Sequence, residues 1–562
     1  MSRHFWGLPA LTTAVMLSVM ADSAAQVDGG EILQDLLRPP PLDERLPAPE
    51  ALELPRAAQP APSDRVTITD VQLEGNTRFS DAMLRELIEE RLGQRFSMAE
   101  LRGMAAVIQD YYRQRGYLAQ VIMPEQSLGD GLLTIQVVEA RPGQISLRRS
   151  ADDHPGPVDL DWHRRFIDHA LDDDPLFRID QLERANRLLG DLPGVTADVT
   201  LAPGASRGLT DVDVILRRAP LFGGRVTLDN TGSDATGTHR ARADLALEAP
   251  FGRGTRASML ALGAEGTRYG RVGADLPIGH DGLELALAGS ALQYDLVDEF
   301  SVLSVEGQSR TLSAELAYPW SRAGQQNIYL QAGADWTEFE DRARQAIQER
   351  RQLRGLYTRL AFDRRDRFAG GGISYGQLEI RAGDVDFAIG TQSTRELTEG
   401  RFERVSAELL RIQSAPGVFA RQAVLRLSLD GQYSEQHLDS SEGYSLGGRD
   451  DIRAFPVSEI SGDYGASATI EWREDLLPAL TGFVFYDHGW VRQRAEPDRP
   501  GSTYQLAGAG VGADIQLGEW LTLAVSAAHP TRDNPLADAT TDRNSDGTRQ
   551  SWRGWVALEA DF

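Results

Sequence analysis

There is no cysteine among the 562 residues, which excludes a disulfide framework, a thiolate zinc site and a cysteine nucleophile. Basic charge is in short supply: 58 Lys+Arg against 83 Asp+Glu give 58 − 83 = −25. A chain of that sign is badly built for gripping phosphates, so no nucleic acid is expected as a partner. Long apolar runs are missing too. Past the N-terminus, no uncharged stretch approaches the roughly 18 residues that a spanning helix needs. The signatures of catalysis are absent as well. Nine histidines make no i, i+4 pair and no HExxH, and neither GxSxG nor GxxxxGK[ST] occurs, so no hydrolase elbow or nucleotide cradle is expected. Asp542, Asn544 and Asp546 start a segment like a calcium loop, but its twelfth position is Arg553, a cation where a carboxylate ligand belongs. No catalytic residue, metal or cofactor is assigned. What the chain does have is 55 glycines and a hydrophobic share of 41%, a composition that suits strands alternating between apolar and polar faces.

The compartment follows from the first residues. Arg3 and His4 precede an apolar run from Phe5 to Met20 and the small residues Ala21, Ser23, Ala24 and Ala25. This is the pattern of a secretory signal peptide over 1–25, so the mature chain is exported and any membrane span in it is β. Residues 27–38 predict a short amphipathic helix with Ile32, Leu33, Leu36 and Leu37 on one face. A proline-rich stretch over 39–64 then reads as a semi-extended tether, which leaves the helix free to dock far from its sequence neighbours.

Two consecutive segments, 65–141 and 142–219, each read β-α-α-β-β, an internal duplication. In the first, Ser97 and Glu100 make a capping box, and Leu101, Met104, Ala105, Ile108 and Tyr112 give the following helix its buried face. In the second, Leu182, Ala185, Leu188 and Leu189 do the same. From 221 to 562 the texture is strand after strand with clean alternation. Ala241, Ala243, Leu245 and Leu247 share one face of one strand, while Arg240, Arg242 and Asp244 share the other. Such a wall fits between lipid and water. The span holds 342 residues, enough for sixteen strands of ~9–11 residues with their turns. The last strand ends on Phe562. The fold class expected is a membrane β-barrel of about 16 antiparallel strands behind two α+β units and an N-terminal helix.

Two further motifs carry a resemblance. Leu446-Gly447-Gly448-Arg449-Asp450-Asp451-Ile452-Arg453-Ala454-Phe455 lies in a long loop before the last five strands, and Phe485-Tyr486-Asp487-His488-Gly489 lies in the second strand after it. With the duplicated units, the tethered helix and the barrel, the chain resembles the outer-membrane transporters of two-partner secretion, a branch of the POTRA-plus-barrel superfamily. The resemblance implies that the loop folds back into the barrel and that Arg453 meets Asp487 there, with Phe455, Phe485 and Gly489 around them. Parity agrees: Asp487 opposes Val484, Tyr486 and Trp490, so it faces the lumen if those meet lipid. A planar guanidinium is the best partner for such a carboxylate, with Arg449 a second candidate. The family carries Gly where this chain has Ala454, a strained choice if the position needs positive φ.

The resemblance implies further that the N-terminal helix plugs the pore at rest and that the POTRA-like pair recognises a large secreted partner protein, an adhesin, haemolysin or toxin. The barrel would sit in outer-membrane lipid, placed by the barrel-assembly machinery, with the POTRA-like units in the periplasm. An extended client can add to an exposed strand edge. In the first unit that edge is Leu118–Pro124, carrying Val121, Ile122 and Met123, unless those side chains fill the core instead. Two rival readings stand beside export: an insertase of the same superfamily and a passive porin.

Overall fold

The computed structural model describes residues 28–36, 38 and 65–562, apart from 152, 153, 173, 498, 539 and 550. The signal peptide read over 1–25, the tether over 39–64 and Leu37 of the plug face lie outside the described residues.

The first periplasmic-type unit opens with a strand that breaks in two. Val66–Thr67 (β1) pairs with Arg95–Phe96 (β3), whereas Asp70–Glu74 (β2) joins Ala119–Ile122 (β4) and Leu132–Glu139 (β5) in a sheet of order β2-β5-β4. Helices Asp81–Glu89 and Met98–Gln114 cover it. The Ser97/Glu100 capping box forms as the spacing requires, and Leu101, Met104, Ala105, Ile108 and Tyr112 are buried. In the second unit, Arg141–Arg149 (β6), Val195–Pro203 (β7) and Leu209–Arg218 (β8) form a sheet of order β6-β8-β7 beneath helices Leu160–Leu171 and Ile179–Asp191. In each sheet the first strand runs parallel and the second antiparallel to the central one. The two units therefore share one topology.

They are also joined by main chain. Leu118 N–H donates to Phe177 O at 3.0 Å, Phe177 N–H to Ala140 O at 2.8 Å and Ile179 N–H to Gly116 O at 2.9 Å. The start of the Leu118–Pro124 edge is thus already occupied by the second unit. Val121 packs into the core of the first unit and Met123 lies partly buried against it, while Ile122 is half-buried outside that cluster.

The second unit is fastened to turns at one end of the barrel. Arg322 makes a bidentate pair with Asp191, both contacts at 2.7 Å, and Arg184 meets Asp281 at 3.1 Å. His280 sits between Trp162 and Phe166, with centroids 5.6 and 5.4 Å away.

Sixteen strands then close into one antiparallel barrel. They are Phe222–Asp229 (β9), Arg240–Glu248 (β10), Arg256–Gly263 (β11), Thr267–Ile278 (β12), Leu283–Asp295 (β13), Val305–Arg322 (β14), Gln326–Ala343 (β15) and Ala346–Asp366 (β16). Gly372–Ile389 (β17), Gly400–Pro416 (β18) and Gln422–Tyr433 (β19) follow. A long loop carries a small hairpin of Tyr444–Leu446 (β20) and Ile460–Gly462 (β21). Tyr464–Leu477 (β22), Leu480–Gln493 (β23), Ser502–Gln516 (β24), Leu521–Pro530 (β25) and Arg553–Asp561 (β26) complete the wall, and β26 closes on β9. The alternation read from the sequence places apolar residues outward, Leu312, Leu356 and Val484 among them. Charges turned inward are paired: Glu379 holds Arg359 at 2.8 Å and Arg404 at 2.9 Å. A barrel facing lipid outside and water inside requires that division.

Candidate functional site

The loop between β19 and β22 turns into the lumen. Leu446, Ile452, Ala454, Phe455 and Ile460 are buried there against Phe485, Val491, Leu506 and Ala528 of the wall. This apolar contact brings the tip to β23, where Asp487 is fully buried. Arg453 Nε donates to Asp487 Oδ2 at 2.9 Å, Nη2 to Oδ1 at 2.8 Å and the Arg453 backbone N–H to Oδ2 at 3.1 Å. Thr469 Oγ1 adds a fourth donor to Oδ1 at 3.0 Å. The carboxylate is therefore saturated by donors, which a buried charge needs.

Besides Thr469, four residues beyond the sequence motifs complete the site: Glu471, Arg473, Trp555 and Gly508. Arg453 Nη1 reaches Glu471 Oε2 at 2.7 Å, and Glu471 is shared with Arg473 at 2.7 Å. The Trp555 indole N–H donates to the Arg453 carbonyl at 2.8 Å. Gly508 faces the loop tip across a gap in which a Cβ would lie 2.4 Å from Ala454 Cβ. Thr469, Glu471 and Arg473 share one parity of β22, so the period of two alone marks that face as polar. Nothing local marks Trp555 or Gly508.

Ala454 is unstrained. It is not among the non-glycine residues with positive φ, and Gly508 leaves room for its methyl group. The position does not need positive φ, so the condition under which alanine would be strained does not arise. Gly489 is required by close approach, since a Cβ would come 2.7 Å from Leu446 Cδ2 and 3.2 Å from Ile452 Cδ1. Phe455 is fully buried and Phe485 carries the guanidinium on its face. Arg453, and not Arg449, makes the ion pair with Asp487.

The N-terminal helix lies in the same lumen. It spans Gly29–Leu36, with Asp28 and Arg38 of the expected 27–38 segment outside the helix. Ile32 and Leu33 are buried among Leu262, Tyr294, Phe339, Leu353 and Phe387 of the wall, with Leu36 packed beside them. Polar contacts bind the helix to the loop: Ser458 Oγ to Asp35 Oδ1 at 2.7 Å, Gln34 Nε2 to Gly443 O and Arg38 to Asp451 at 3.7 Å. Beside helix and loop a cavity of about 1320 Å³ remains, lined by charged residues that include Arg242, Asp244, Arg271 and Asp514.

Among the described residues, no group of three or more His, Cys, Asp or Glu is arranged to hold a metal ion. Arg553, at the twelfth position of the calcium-like segment, pairs with Asp546 of that segment.

The comparisons with known proteins agree with this architecture. Residues 208–515 match the model for the "Haemolysin secretion/activation protein ShlB/FhaC/HecB" family, and residues 66–140 match a POTRA domain of ShlB type. The heme/hemopexin transporter protein HuxB of Haemophilus influenzae is 21% identical over 547 residues, covering 93% of this chain and 95% of HuxB. The outer membrane transporter CdiB of Escherichia coli O6:K15:H31 is 23% identical over 539 residues, covering 92% of this chain and 89% of CdiB. A solved structure of Escherichia coli CdiB shares the fold, with a TM-score of 0.69 at 19% identity over the whole of both chains. The family match spans more than half of the sequence, and the chain therefore belongs to the ShlB/FhaC/HecB haemolysin secretion/activation family, outer-membrane two-partner secretion transporters that export partner proteins.

Proposed function

We propose that this transporter captures a large partner protein, an adhesin, haemolysin or toxin, on its periplasmic units and passes it through the barrel without nucleotide hydrolysis or any other catalysis. The observation that carries the mechanism is the buried Asp487 carboxylate chelated by Arg453. This pair holds the loop at a fixed depth, so the helix and the exported chain move past a stationary element. The helix Gly29–Leu36 fills the pore at rest and withdraws during export, drawn through the length of chain that separates it from the first unit. Main-chain pairing along the Gln120–Pro124 edge, beside Ile122, displaces the weak side-chain contacts of Gln109 and Gln126 there and gives the partner its first contact. The barrel-assembly machinery places the wall in lipid beforehand. Folding of the partner outside the cell supplies the driving force.

Replacing either member of a buried pair strands the other charge at a cost of about 3–5 kcal/mol. Arg453→Ala and Asp487→Ala should each abolish partner secretion while a heat-modifiable, folded barrel still accumulates in the outer membrane. Secretion at the unaltered level from both variants would overturn the anchor.

A further inference from the structure

We propose that the lumen contains a peptide-binding socket that recognises the Asp28-Gly29-Gly30 start of the helix, an inference that rests on reading that helix as the plug. The socket is built around Arg351, 1% exposed and the largest fully buried side chain among the described residues. Its guanidinium stacks on Phe339 at 4.5 Å and meets Asp439 at 2.6 Å, Asp341 at 3.3 Å and also Glu349. Those three carboxylates come from the wall and the base of the loop. A fourth, Asp28 Oδ2 at 3.3 Å, comes from the helix. Ser440 Oγ lies 2.7 Å from both oxygens of Asp28, and the same carboxylate caps the Gly30 and Glu31 amides at 2.8 and 3.0 Å.

The two glycines are the specificity element. A Cβ on Gly30 would stand 2.4 Å from Ser440 Oγ, 2.8 Å from Arg351 Nη2 and 2.8 Å from the Ser441 backbone nitrogen. One on Gly29 would stand 3.1 Å from Asp341 Oδ1. Neither glycine has positive φ, so it is the space and not the backbone conformation that demands them. Glycine is a poor helix former, and two in succession at the start of so short a helix make sense only if fit to the socket outweighs that cost. The ligand class is therefore a helical segment whose capping residue is acidic and whose next two residues have no side chain. With the helix withdrawn, Arg351 keeps three carboxylate partners, so the socket stays assembled. A passing client segment with bulky residues after an acid does not seat in it, and the protein's own helix does.

The test uses the transporter lacking residues 27–38, in micelles, with a fluorescently labelled peptide of that sequence read by anisotropy. The native peptide should bind. The Gly30→Ala and Asp28→Asn peptides should bind about tenfold more weakly or not at all. Alanine favours the free helix, so weaker binding of Gly30→Ala reports the socket and not loss of helix. Arg351→Gln in the barrel should weaken the native peptide similarly. Equal affinity of the Gly30→Ala and native peptides, or no binding of the native peptide, overturns the socket. Planar-bilayer conductance of the same deletion tests the plug separately: unchanged conductance sinks the plug reading, while the anisotropy still reads the socket.

Discussion

The guanidinium carbon of Arg453 lies 3.3 Å from the centroid of the Phe485 ring. One residue thus offers the loop a carboxylate-binding fork and a face for stacking, and the strand that supplies Asp487 also supplies the aromatic platform two residues away on the same parity. Cation–π contact strengthens with desolvation, and Arg453 and Phe485 are only 9% and 5% exposed.

Phe485→Leu keeps an apolar side chain and removes the π face, at a cost of about 0.5–2 kcal/mol. The barrel should assemble normally while the loop loosens. Tryptic cleavage after Arg449 or Arg453 in reconstituted protein should speed up, and a cleavage rate equal to that of the unaltered protein would show that the stacking contributes nothing.

Gly508 and Ala454 are complementary in size. Gly508→Ala should displace the loop tip and cut secretion, an overpacking cost of about 1–3 kcal/mol. Ala454→Gly in the same chain should restore secretion by removing the methyl group that the new Cβ meets. A double variant as defective as Gly508→Ala alone would show that the damage lies elsewhere.

Arg322 is buried and its partner Asp191 is 32% exposed, so solvent screens the pair and its loss is worth at most about 3 kcal/mol. Arg322→Ala should leave the barrel folded and free the second periplasmic unit. Hydrogen exchange of helix Ile179–Asp191 should rise while that of β14 stays unchanged.

Glu139 ties the first unit together, accepting the Thr77 and Arg78 amides at 2.8 Å each and the Tyr112 hydroxyl at 2.7 Å. Burial pushes its carboxyl up, but these donors and the Thr77 hydroxyl outweigh burial and hold it below the ordinary glutamate value. A carboxylate depressed in the folded state contributes stability that is present above the unfolded value, about 4.3, and is lost as pH falls through the folded one. Exchange protection of Thr77 and Arg78 should therefore fall away below about pH 4.3, and Glu139→Gln should flatten that dependence. The same pH dependence in the native and Glu139→Gln proteins would contradict it.

The barrel, the duplicated units and the lumen-facing Asp487 were legible because period-two alternation and capping are local signals. Apolar spacing places the helix face at Ile32, Leu33 and Leu36, and the structure describes the helix over Gly29–Leu36 with Arg38 outside it. The Val66–Gly75 run reads as one strand by alternation, yet its two halves pair with different partners, which no local pattern encodes. Arg351 was invisible for a different reason. Its contact with Asp28 spans 323 positions, and neither residue stands in a recognisable motif. Gly508 looks like any other glycine of β24 until the loop is laid upon it.

Trp555 sits 102 positions after the carbonyl it binds, on the strand that joins the two ends of the wall. The bond therefore depends on closure of the wall. β26 pairs with β25 on one side and β9 on the other, and it cannot hold the loop until it has been added between them. Sealing the cylinder and finishing the lock are thus one event, and a wall that is still open along its seam is also a wall without its last fastening.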